Sequence, residues 1–291
     1  MRLGVEVGGT FTDLVAIGED GITVTKVPSV PLQPDEGAFN ALVQSQIPIP
    51  SIEELSHGST VATNAVLERK GFPTAFVTTR GFRDILRLQR QGRSRIYDLE
   101  YVKPIPVVAR AACYEVSERI LADGSIQSTL DTDQVRQELV PELHSGGYQA
   151  VAICLLNAYV NPVHEEALAE LLTAELPNLR VSLSSRVSRE FREFERTSTA
   201  VTNAFIGPVV QRYINRLGDD LSERNIPQLS IIKSNGGLTS AANACRYPVH
   251  LIESGPAAGV IACSALGSAE HLGDLIAFDM GGTTAKAGVV V

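Results

Sequence analysis

Two segments far apart in the chain share an arrangement of residues that suits phosphate binding. Residues 4–13, GVEVGGTFTD, and residues 277–286, AFDMGGTTAK, each place an acid two residues before a Gly-Gly-Thr sequence, between apolar runs typical of β-strands. Glycine has no Cβ, so its backbone can approach a ligand closely. Successive N–H groups in a tight turn form a concavity that binds anions. The pair of turns therefore predicts a site for phosphate groups.

Each turn supplies several candidate ligands. Backbone N–H groups, threonine hydroxyls and one lysine are predicted to contact phosphate oxygens, from residues Gly8, Gly9, Thr10, Thr12, Gly281, Gly282, Thr283, Thr284 and Lys286. Glu6 and Asp279 are predicted to hold Mg²⁺ through water, because Mg²⁺ dehydrates reluctantly and prefers few carboxylates plus phosphate. Asp13 is predicted to face the same cleft. The candidate catalytic acids are therefore Glu6, Asp13 and Asp279.

Structural roles remain open for some of these residues. Gly-Gly pairs are common in β-hairpins, Asp13 can bond the local backbone of its turn, and Lys286 can be an ordinary strand-edge lysine. The sequence contains no G-x-x-x-x-G-K-[ST] phosphate loop. Neither turn leads into a helix, as a dinucleotide-binding fingerprint would.

A second candidate site lies at a predicted helix start. Ser59 or Thr60 suits the N-cap of a helix over 61–70 that ends at Gly71. Free N–H groups at a helix start favour an anion or a polarised carbonyl. The substrate-pocket candidates are therefore His57, Ser59, Thr60, Thr63 and Asn64. Ordinary capping by Ser59 or Thr60, and a satisfied turn histidine at position 57, are the alternatives.

Short strands and helices are predicted to position these segments. Strands over 2–7, 12–17 and 22–27, joined by tight turns, predict an antiparallel meander. Later strands alternate with helices, which predicts an α/β fold with a mainly parallel sheet. The remaining predicted elements are a helix over 35–46, strand 74–78, helix 132–144, buried strand 149–156, helix 162–175, strand 229–233, helix 256–266, strand 275–278 and a final strand ending at Val291.

The long amphipathic stretch over 189–224 is interrupted by Gly207-Pro208, which predicts two helices or one kinked helix. We expect an N-terminal lobe over 1–187, and connecting helices with the start of a second lobe over 188–291. The chain ends on an apolar strand with no later segment to pair with it, so a truncated second lobe is expected.

Composition narrows the class of protein. The 291 residues are 44% hydrophobic and carry a net charge of -8, which argues against nucleic acid or an anionic membrane as the main partner. The sequence has no secretory signal and no apolar run near the ~18 residues of a membrane span. The four scattered cysteines predict a reducing cytoplasm, without disulfides or a cysteine metal site.

One basic cluster stands out in this acidic chain. It comprises Arg80, Arg83, Arg87, Arg90, Arg93 and Arg95. A solvated face paired with Asp84, Asp98 and Glu100 is the simplest interpretation. A lid that closes on a substrate or on a partner subunit is the alternative.

Several segments together resemble the hydantoinase A family, which includes 5-oxoprolinase and the ATP-using subunits of acetone and acetophenone carboxylases. They span the chain in the family's order: GVEVGGTFTD, HGSTVATNAVLERKG (57–71), TTRGFRD (78–84), YDL (97–99), AVAICLLNAYVNPVHE (150–165), SNGGL (234–238), ESGPAAGV (253–260) and FDMGGTTAK. More broadly, paired turns of this kind resemble the superfamily of actin, heat-shock chaperones and sugar kinases. The resemblance implies an actin-like ATPase (ribonuclease H-like) α/β fold, with mixed sheets, flanking helices and an incomplete second lobe.

The resemblance also implies an activity. ATP and Mg²⁺ would lie between the two turns, and a small cyclic amide or other carbonyl compound would be opened or carboxylated. Phosphorylation of an amide oxygen removes the resonance that protects the carbonyl and creates a leaving group. A second, hydantoinase B-type subunit and a missing C-terminal region are the implied partners. The family normally carries Asp where this chain has Glu6, and the part that binds adenosine lies beyond Val291, so this chain alone is expected to bind ATP poorly.

Three hypotheses follow. The first is the ATP-handling part of a cyclic-amide hydrolase, with an acetone- or acetophenone-type carboxylase as its close variant. The second is a sugar-kinase-like phosphotransferase. The third is a non-catalytic assembly module that uses the nucleotide state to hold a partner.

Overall fold

The computed structural model describes residues 1–19, 21–30, 33–226, 228–280 and 285–291. The second Gly-Gly-Thr turn, residues 281–284, lies outside the described residues. Gly281, Gly282, Thr283 and Thr284 therefore remain predicted ligands only. The strands, in chain order, are β1 Arg2–Val7, β2 Phe11–Gly18, β3 Gly21–Pro28, β4 Glu54–Ser59, β5 Thr74–Thr79, β6 Cys113–Val116, β7 Arg119–Ile120, β8 Ile126–Ser128, β9 Ala150–Cys154, β10 Arg180–Leu183, β11 Leu229–Ile232, β12 Leu238–Ser240, β13 Leu275–Met280 and β14 Ala285–Val290.

Helices follow half of these strands. In chain order they are α1 Pro34–Ser45, α2 Val61–Leu67, α3 Ile85–Leu88, α4 Thr132–Gln134, α5 Val140–Ser145, α6 Val163–Glu175, α7 Ser184–Val187, α8 Glu193–Glu223, α9 Ala241–Arg246 and α10 Ser254–Ala269. A π-helical turn, Val135–Leu139, joins α4 to α5. Short 3₁₀ turns lie at Ile49–Ser51, Arg110–Ala112 and Pro248–Leu251. No helix among the described residues is long and apolar enough to cross a membrane.

The chain divides into two compact units. The first unit contains residues 1–68 and 209–291, and the second contains residues 69–208. These units do not follow the predicted division at residue 187, because β11 and β12 join the sheet that β1–β4 begin. The assignment of two nucleotide-binding lobes stays a prediction.

A six-stranded mixed sheet forms the centre of the first unit. Its strand order is β12-β11-β4-β1-β2-β3, with β1, β2 and β3 antiparallel and β4 parallel to β1. Alternate side chains of β1 and β2, such as Leu3, Val5 and Leu14, point into the core, where α1 and the C-terminal part of α8 pack. The predicted antiparallel meander is confirmed. An antiparallel meander followed by parallel strands is the ribonuclease H-like arrangement that was expected.

The second unit contains a four-stranded parallel sheet of order β10-β9-β5-β6. Every residue of β9 is buried, as its uninterrupted apolar sequence predicted. Leu143, Leu168 and Leu172 from the flanking helices pack into this core. The predicted α/β class with mixed sheets and flanking helices is therefore confirmed.

Two local predictions need correction. Residues 54–59 form strand β4, which was not among the predicted strands. Helix α2 begins at Val61 after Thr60, as predicted, but ends at Leu67 instead of Lys70. The segment 54–59 joins a sheet because β1 and β11 offer hydrogen-bonding edges on both sides. The long stretch forms one helix, α8, with Pro208 inside it.

Candidate functional site

The first Gly-Gly-Thr turn joins β1 to β2. The Gly8 N–H donates to the Phe11 carbonyl oxygen at 3.0 Å, and a Cβ on Gly8 would lie 2.9 Å from that oxygen, so this tight turn requires glycine. Gly9 and Thr10 are exposed. Within the described part of the chain, their N–H groups have no hydrogen-bond partner. The turn thus offers two backbone donors that an anion can use.

Thr12, in contrast, supports the turn from behind. Its side chain is fully buried, and its hydroxyl lies 2.9 Å from the Ser29 hydroxyl, which donates to the Gly8 carbonyl at 2.8 Å. A buried hydroxyl bonded in this way does not face a ligand. The geometry therefore gives no support to the prediction that Thr12 contacts phosphate.

The acids of the first segment form a charged row across neighbouring strands. Glu6 on β1 lies directly opposite Asp13 on β2, and Asp13 lies opposite Lys26 on β3. Residues directly opposite each other project from the same face of a sheet. The Lys26 ammonium pairs with Asp13 Oδ1 at 2.5 Å. Asp13 therefore has a cationic partner, which the sequence interpretation missed.

Glu6 is accommodated by two glycines. A Cβ on Gly58 of β4 would lie 3.5 Å from Glu6 Cγ, and a Cβ on Gly255 would lie 2.9 Å from Glu6 Oε1. Gly255 belongs to the first turn of the 16-residue helix α10, where free N–H groups favour negative charge. The absence of both side chains leaves room for the Glu6 side chain, which is one methylene longer than that of an aspartate.

The electrostatics connect Glu6 to the second turn. Burial and the negative charges of Asp13 and Asp279 raise the pKa of Glu6 above its ordinary value, and Lys26 lowers it. Asp279 lies near the end of β13, the strand before the second Gly-Gly-Thr segment, so acids from both segments act on one another. No donor among the described residues bonds the Glu6 carboxylate. A carboxylate that lacks donors, such as that of Glu6, can supply one ligand to a divalent cation.

No group of three or more histidine, cysteine or acidic side chains in the described ranges is arranged as a metal site. A Mg²⁺ ion bound mainly by water and phosphate does not require such a group. The carboxylates around Glu6 therefore fit Mg²⁺ only if water and phosphate supply the other ligands of the ion.

Lys286 is held by Glu253, the residue directly before α10. It lies opposite Asp279 in the β13–β14 hairpin, and its ammonium pairs with Glu253. Glu253 has a left-handed backbone (φ 64°), and its N–H donates to the Thr63 hydroxyl at 2.9 Å. Thr63, Glu253 and Lys286 therefore connect α2, α10 and the second hairpin.

His57 is buried and borders only a small cavity, so its predicted place in a substrate pocket stays a prediction. Its ring is 1% exposed; Nδ1 donates to the Val5 carbonyl at 3.1 Å, and Nε2 accepts from the Tyr213 hydroxyl at 2.6 Å. Burial lowers the pKa of His57 to about 4. The cavity beside it, about 10 Å³, has room for about one water. The neutral His57 is a structural link between β4 and α8.

The other residues of the predicted helix-start site have local partners. The Ser59 hydroxyl accepts from the Val61 N–H at 3.1 Å, whereas the N-cap residue Thr60 makes no side-chain capping bond to α2. The Thr60 hydroxyl donates to the Val7 carbonyl and accepts from the Asn64 amide, both at 3.3 Å. Because α2 has only seven residues, its weak N-terminus gives little support to a separate anion site.

Four functional candidates escaped the sequence interpretation: Gly58, Gly255, Lys26 and Glu253. The glycines stand inside the HGSTV and ESGPAAGV segments, which supported the resemblance without being assigned a role. The sequence around Lys26 gave no sign of its role, since only the register of the β2–β3 hairpin places Lys26 opposite Asp13.

The basic cluster is only partly paired with the predicted acids. Arg95 pairs with Asp98 at 3.4 Å, whereas Asp84 is bound by Arg110 at 2.6 and 2.9 Å. Arg90 pairs with Glu195. The cluster is therefore not a uniformly solvated face.

Known protein families match most of the chain. The family model described as "Hydantoinase/oxoprolinase N-terminal region" matches residues 2–176, and the model described as "Hydantoinase/oxoprolinase" matches residues 196–291. The chain is 38% identical over 296 residues to an uncharacterized protein of Methanocaldococcus jannaschii, covering 100% of this chain and 43% of that relative.

A second relative is the caprolactamase subunit alpha of Pseudomonas jessenii, 32% identical over 295 residues, with 97% of this chain and 42% of that subunit covered. The crystal structure of this ATP-dependent caprolactamase superposes with a TM-score of 0.87 at 31% identity, over 99% of this chain and 43% of that one. A nucleotide-free structure of acetone carboxylase superposes with a TM-score of 0.90 at 23% identity, with the same coverage, and shows the shared fold. The chain thus spans about two-fifths of the length of these relatives.

Proposed function

We propose, from the premise that this chain belongs to the hydantoinase/oxoprolinase family, that it is the ATP-handling part of a subunit that opens a cyclic amide. One observation carries the proposal. Glu6 and Asp13 stand opposite each other at the foot of the exposed Gly9-Thr10 turn, and Asp279 of the second hairpin raises the pKa of Glu6. Among the described residues, the Glu6 carboxylate has no donor and the turn that follows β1 has backbone N–H groups without acceptors, which suits a phosphate–cation pair.

The residues have distinct roles in this proposal. The N–H groups of Gly9 and Thr10 bind phosphate oxygens, and the turn 281–284 contributes a second set of donors. Glu6 and Asp279 hold the water shell of Mg²⁺. Lys26 holds Asp13 in place beside Glu6. Thr12 and His57 act indirectly, because they fix the strands that carry these groups.

The chemistry supplied by bound Mg²⁺ and ATP is phosphorylation of the carbonyl oxygen, which removes amide resonance and creates a leaving group. The named relatives are an ATP-dependent caprolactamase and an enzyme of ATP-dependent acetone carboxylation. Ring opening is preferred over carboxylation here because the caprolactamase is the more similar of these two in sequence. Carboxylation is the second candidate.

In this proposal, the remaining parts of the active protein are a further region of the polypeptide and a second subunit. Since the chain spans about two-fifths of its relatives, we propose that a C-terminal region supplies the adenosine site. One relative is named as a subunit, so a second, hydantoinase B-type subunit is proposed as partner. The segment between α3 and the 110–112 turn offers a surface for it, with Tyr97 96% and Leu99 99% exposed.

Phosphate release tests the proposal in the longer protein, with the continuation after Val291 and its second subunit present. Release should be stimulated by 5-oxoproline, a hydantoin or caprolactam. Glu6→Gln should lower the stimulated rate by about 10²–10³, the usual effect of removing one electrostatic group from a transition-state site. Glu19→Gln, an exposed acid at the other end of the β2–β3 hairpin, is the matched control and should leave the rate unchanged.

Other outcomes assign other functions. Stimulation by acetone with bicarbonate, and by no amide, would favour carboxylation. A hexose-dependent rate would favour a sugar-kinase-like transferase. An unchanged rate in Glu6→Gln would remove the acid row from the mechanism.

A further inference from the structure

A polar cavity lies in the second unit, away from every residue discussed as part of the phosphate site. It has a volume of about 230 Å³, whereas one water needs only about 10–15 Å³. Its walls are the segment after β5, strand β6 and the helical segment 134–142. The cavity thus opens beside the carboxyl ends of two parallel strands, where α/β sheets commonly bind ligands.

Two arginines of this cavity have no partner for their side chains. Within the described ranges, the guanidinium groups of Arg80 and Arg83 make no hydrogen bond or ion pair. The Nε of Arg83 is moreover buried without an acceptor, which is true of no other side-chain nitrogen or oxygen in the described part of the molecule. Buried donors are normally bonded, so this nitrogen indicates a missing acceptor.

The local backbone holds both arginines in place. Gly81, between them, has φ +92°, and its N–H donates to Glu115 Oε1 at 2.8 Å. The same oxygen accepts the Arg83 N–H at 3.2 Å. Asp84, the acid next in sequence, is already bound by Arg110. Arg83 therefore lacks the neighbour that would otherwise neutralise it.

Acids line the same cavity from the helical segment. Gln134 donates to Glu138 Oε2 at 3.0 Å, and the Glu142 carboxylate has no hydrogen bond to any described residue. Apolar side chains, including Val116, Val135 and Leu139, complete the lining. No ion pair joins these glutamates to the arginines in the described part of the chain. Both signs of charge thus border one cavity without neutralising each other.

We propose that this cavity binds a small amino acid in its zwitterionic form. The carboxylate lies on Arg80 and Arg83, whose planar guanidinium groups suit two-point binding. The ammonium lies towards Glu138 and Glu142, and the methylene stem contacts the apolar lining. A simple anion such as phosphate fits less well, because three glutamates border the same space. Hydrolysis of a lactam yields an amino acid of this kind, but the proposal does not rest on the proposed function.

Isothermal titration calorimetry of the 291-residue chain tests the proposal. The probes are glycine, β-alanine, 4-aminobutyrate and 6-aminohexanoate, with butyrate, butylamine and inorganic phosphate as partial ligands. We expect at least one amino acid to bind at least tenfold more tightly than each partial ligand. Absence of binding by all four amino acids would overturn the proposal, as would equal binding of butyrate or tighter binding of phosphate.

Matched variants locate the site. Arg83→Met should weaken amino-acid binding at least tenfold, and Glu142→Gln should weaken it without weakening butyrate. Arg87→Met, in the same basic cluster but outside the cavity lining, should change nothing. NMR of the unmodified chain gives a second measurement that needs no variant: the guanidinium signals of Arg80 and Arg83 should shift on titration. Shifts confined to other arginines would overturn the assignment.

Discussion

Two glutamates, Glu6 in the first unit and Glu165 in the second, have opposite environments. Glu165 is fully buried and accepts four hydrogen bonds: from the Leu155 and Ser185 N–H groups at 3.0 and 2.9 Å, and from the Ser184 and Ser185 hydroxyls at 2.6 and 2.7 Å. Glu6 is partly buried, faces two further acids and has no donor among the described residues.

The difference separates structural from functional carboxylates. Burial raises the pKa of both groups, yet the donors around Glu165 oppose that effect and stabilise the carboxylate. Arg196, also buried, extends the network through the Ser184 hydroxyl at 3.2 Å. A carboxylate with all its donors present has its function in folding. A partly buried carboxylate that lacks donors lowers the stability of the fold, and it is suited to bind a cation that enters together with a ligand.

The largest expected effect is on the structural member of the pair. Glu165→Gln replaces an acceptor by a donor, so at least two buried donors lose their partner, at about 1–3 kcal/mol each. We expect the free energy of unfolding to fall by about 3–5 kcal/mol, measured by urea denaturation. The neighbouring Glu166→Gln breaks only an exposed pair with Arg186 at 3.3 Å and should cost less than about 1 kcal/mol. Equal effects of the two variants would remove the contrast.

The pH dependence of the unfolding free energy extends the comparison to a buried base, His57. The pKa of His57 is about 4 in the folded protein and 6.5 ordinarily, so between these values the unfolded chain binds the extra proton. The free energy of unfolding should therefore fall by about 3 kcal/mol as pH is lowered from 6.5 to 4. His57→Gln keeps one donor and one acceptor but cannot titrate. Its unfolding free energy should depend less steeply on pH in this window, and an unchanged slope would contradict the assignment.

Within the first turn, Thr12 and Thr10 repeat the comparison on a smaller scale. Thr12→Val removes the buried bond to Ser29 and should lower the free energy of unfolding by about 1 kcal/mol. Thr10→Val alters an exposed residue and should change it by less than about 0.5 kcal/mol. Thermal or urea unfolding of both variants checks the order. A larger loss of unfolding free energy in Thr10→Val than in Thr12→Val would contradict the supporting role of Thr12.

The smallest expected effect has the opposite sign. Glu6→Gln removes a like charge directly opposite Asp13, so the free energy of unfolding should rise by about 0.2–1 kcal/mol. Glu19→Gln provides the exposed control. A stability loss above about 1 kcal/mol in Glu6→Gln would make Glu6 a structural carboxylate like Glu165.

The sequence predicted more of the fold than of the site. The short apolar runs of 2–7 and 12–17 between tight turns and the continuous apolar run of β9 indicated the strands, because side-chain burial repeats along a strand regardless of distant partners. Helix α2 begins at Val61 as predicted, but strand β4 before it was missed, because the Ser, His and Gly residues of segment 54–59 give no clear strand signal. Only the edges offered by β1 and β11 make it a strand.

For the site, the chain itself determined which groups are available: two distant Gly-Gly-Thr turns, each with an acid two residues before it. Tertiary structure decided their surroundings. Hairpin register sets Glu6 against Asp13 and Lys26 against Asp13, and folding brings Gly255 and Asp279 to Glu6. It also turned Thr12 and His57 inward. Residue type fixes what a side chain can donate, accept or ionise, whereas its pKa and its role depend on neighbours that lie far away in sequence.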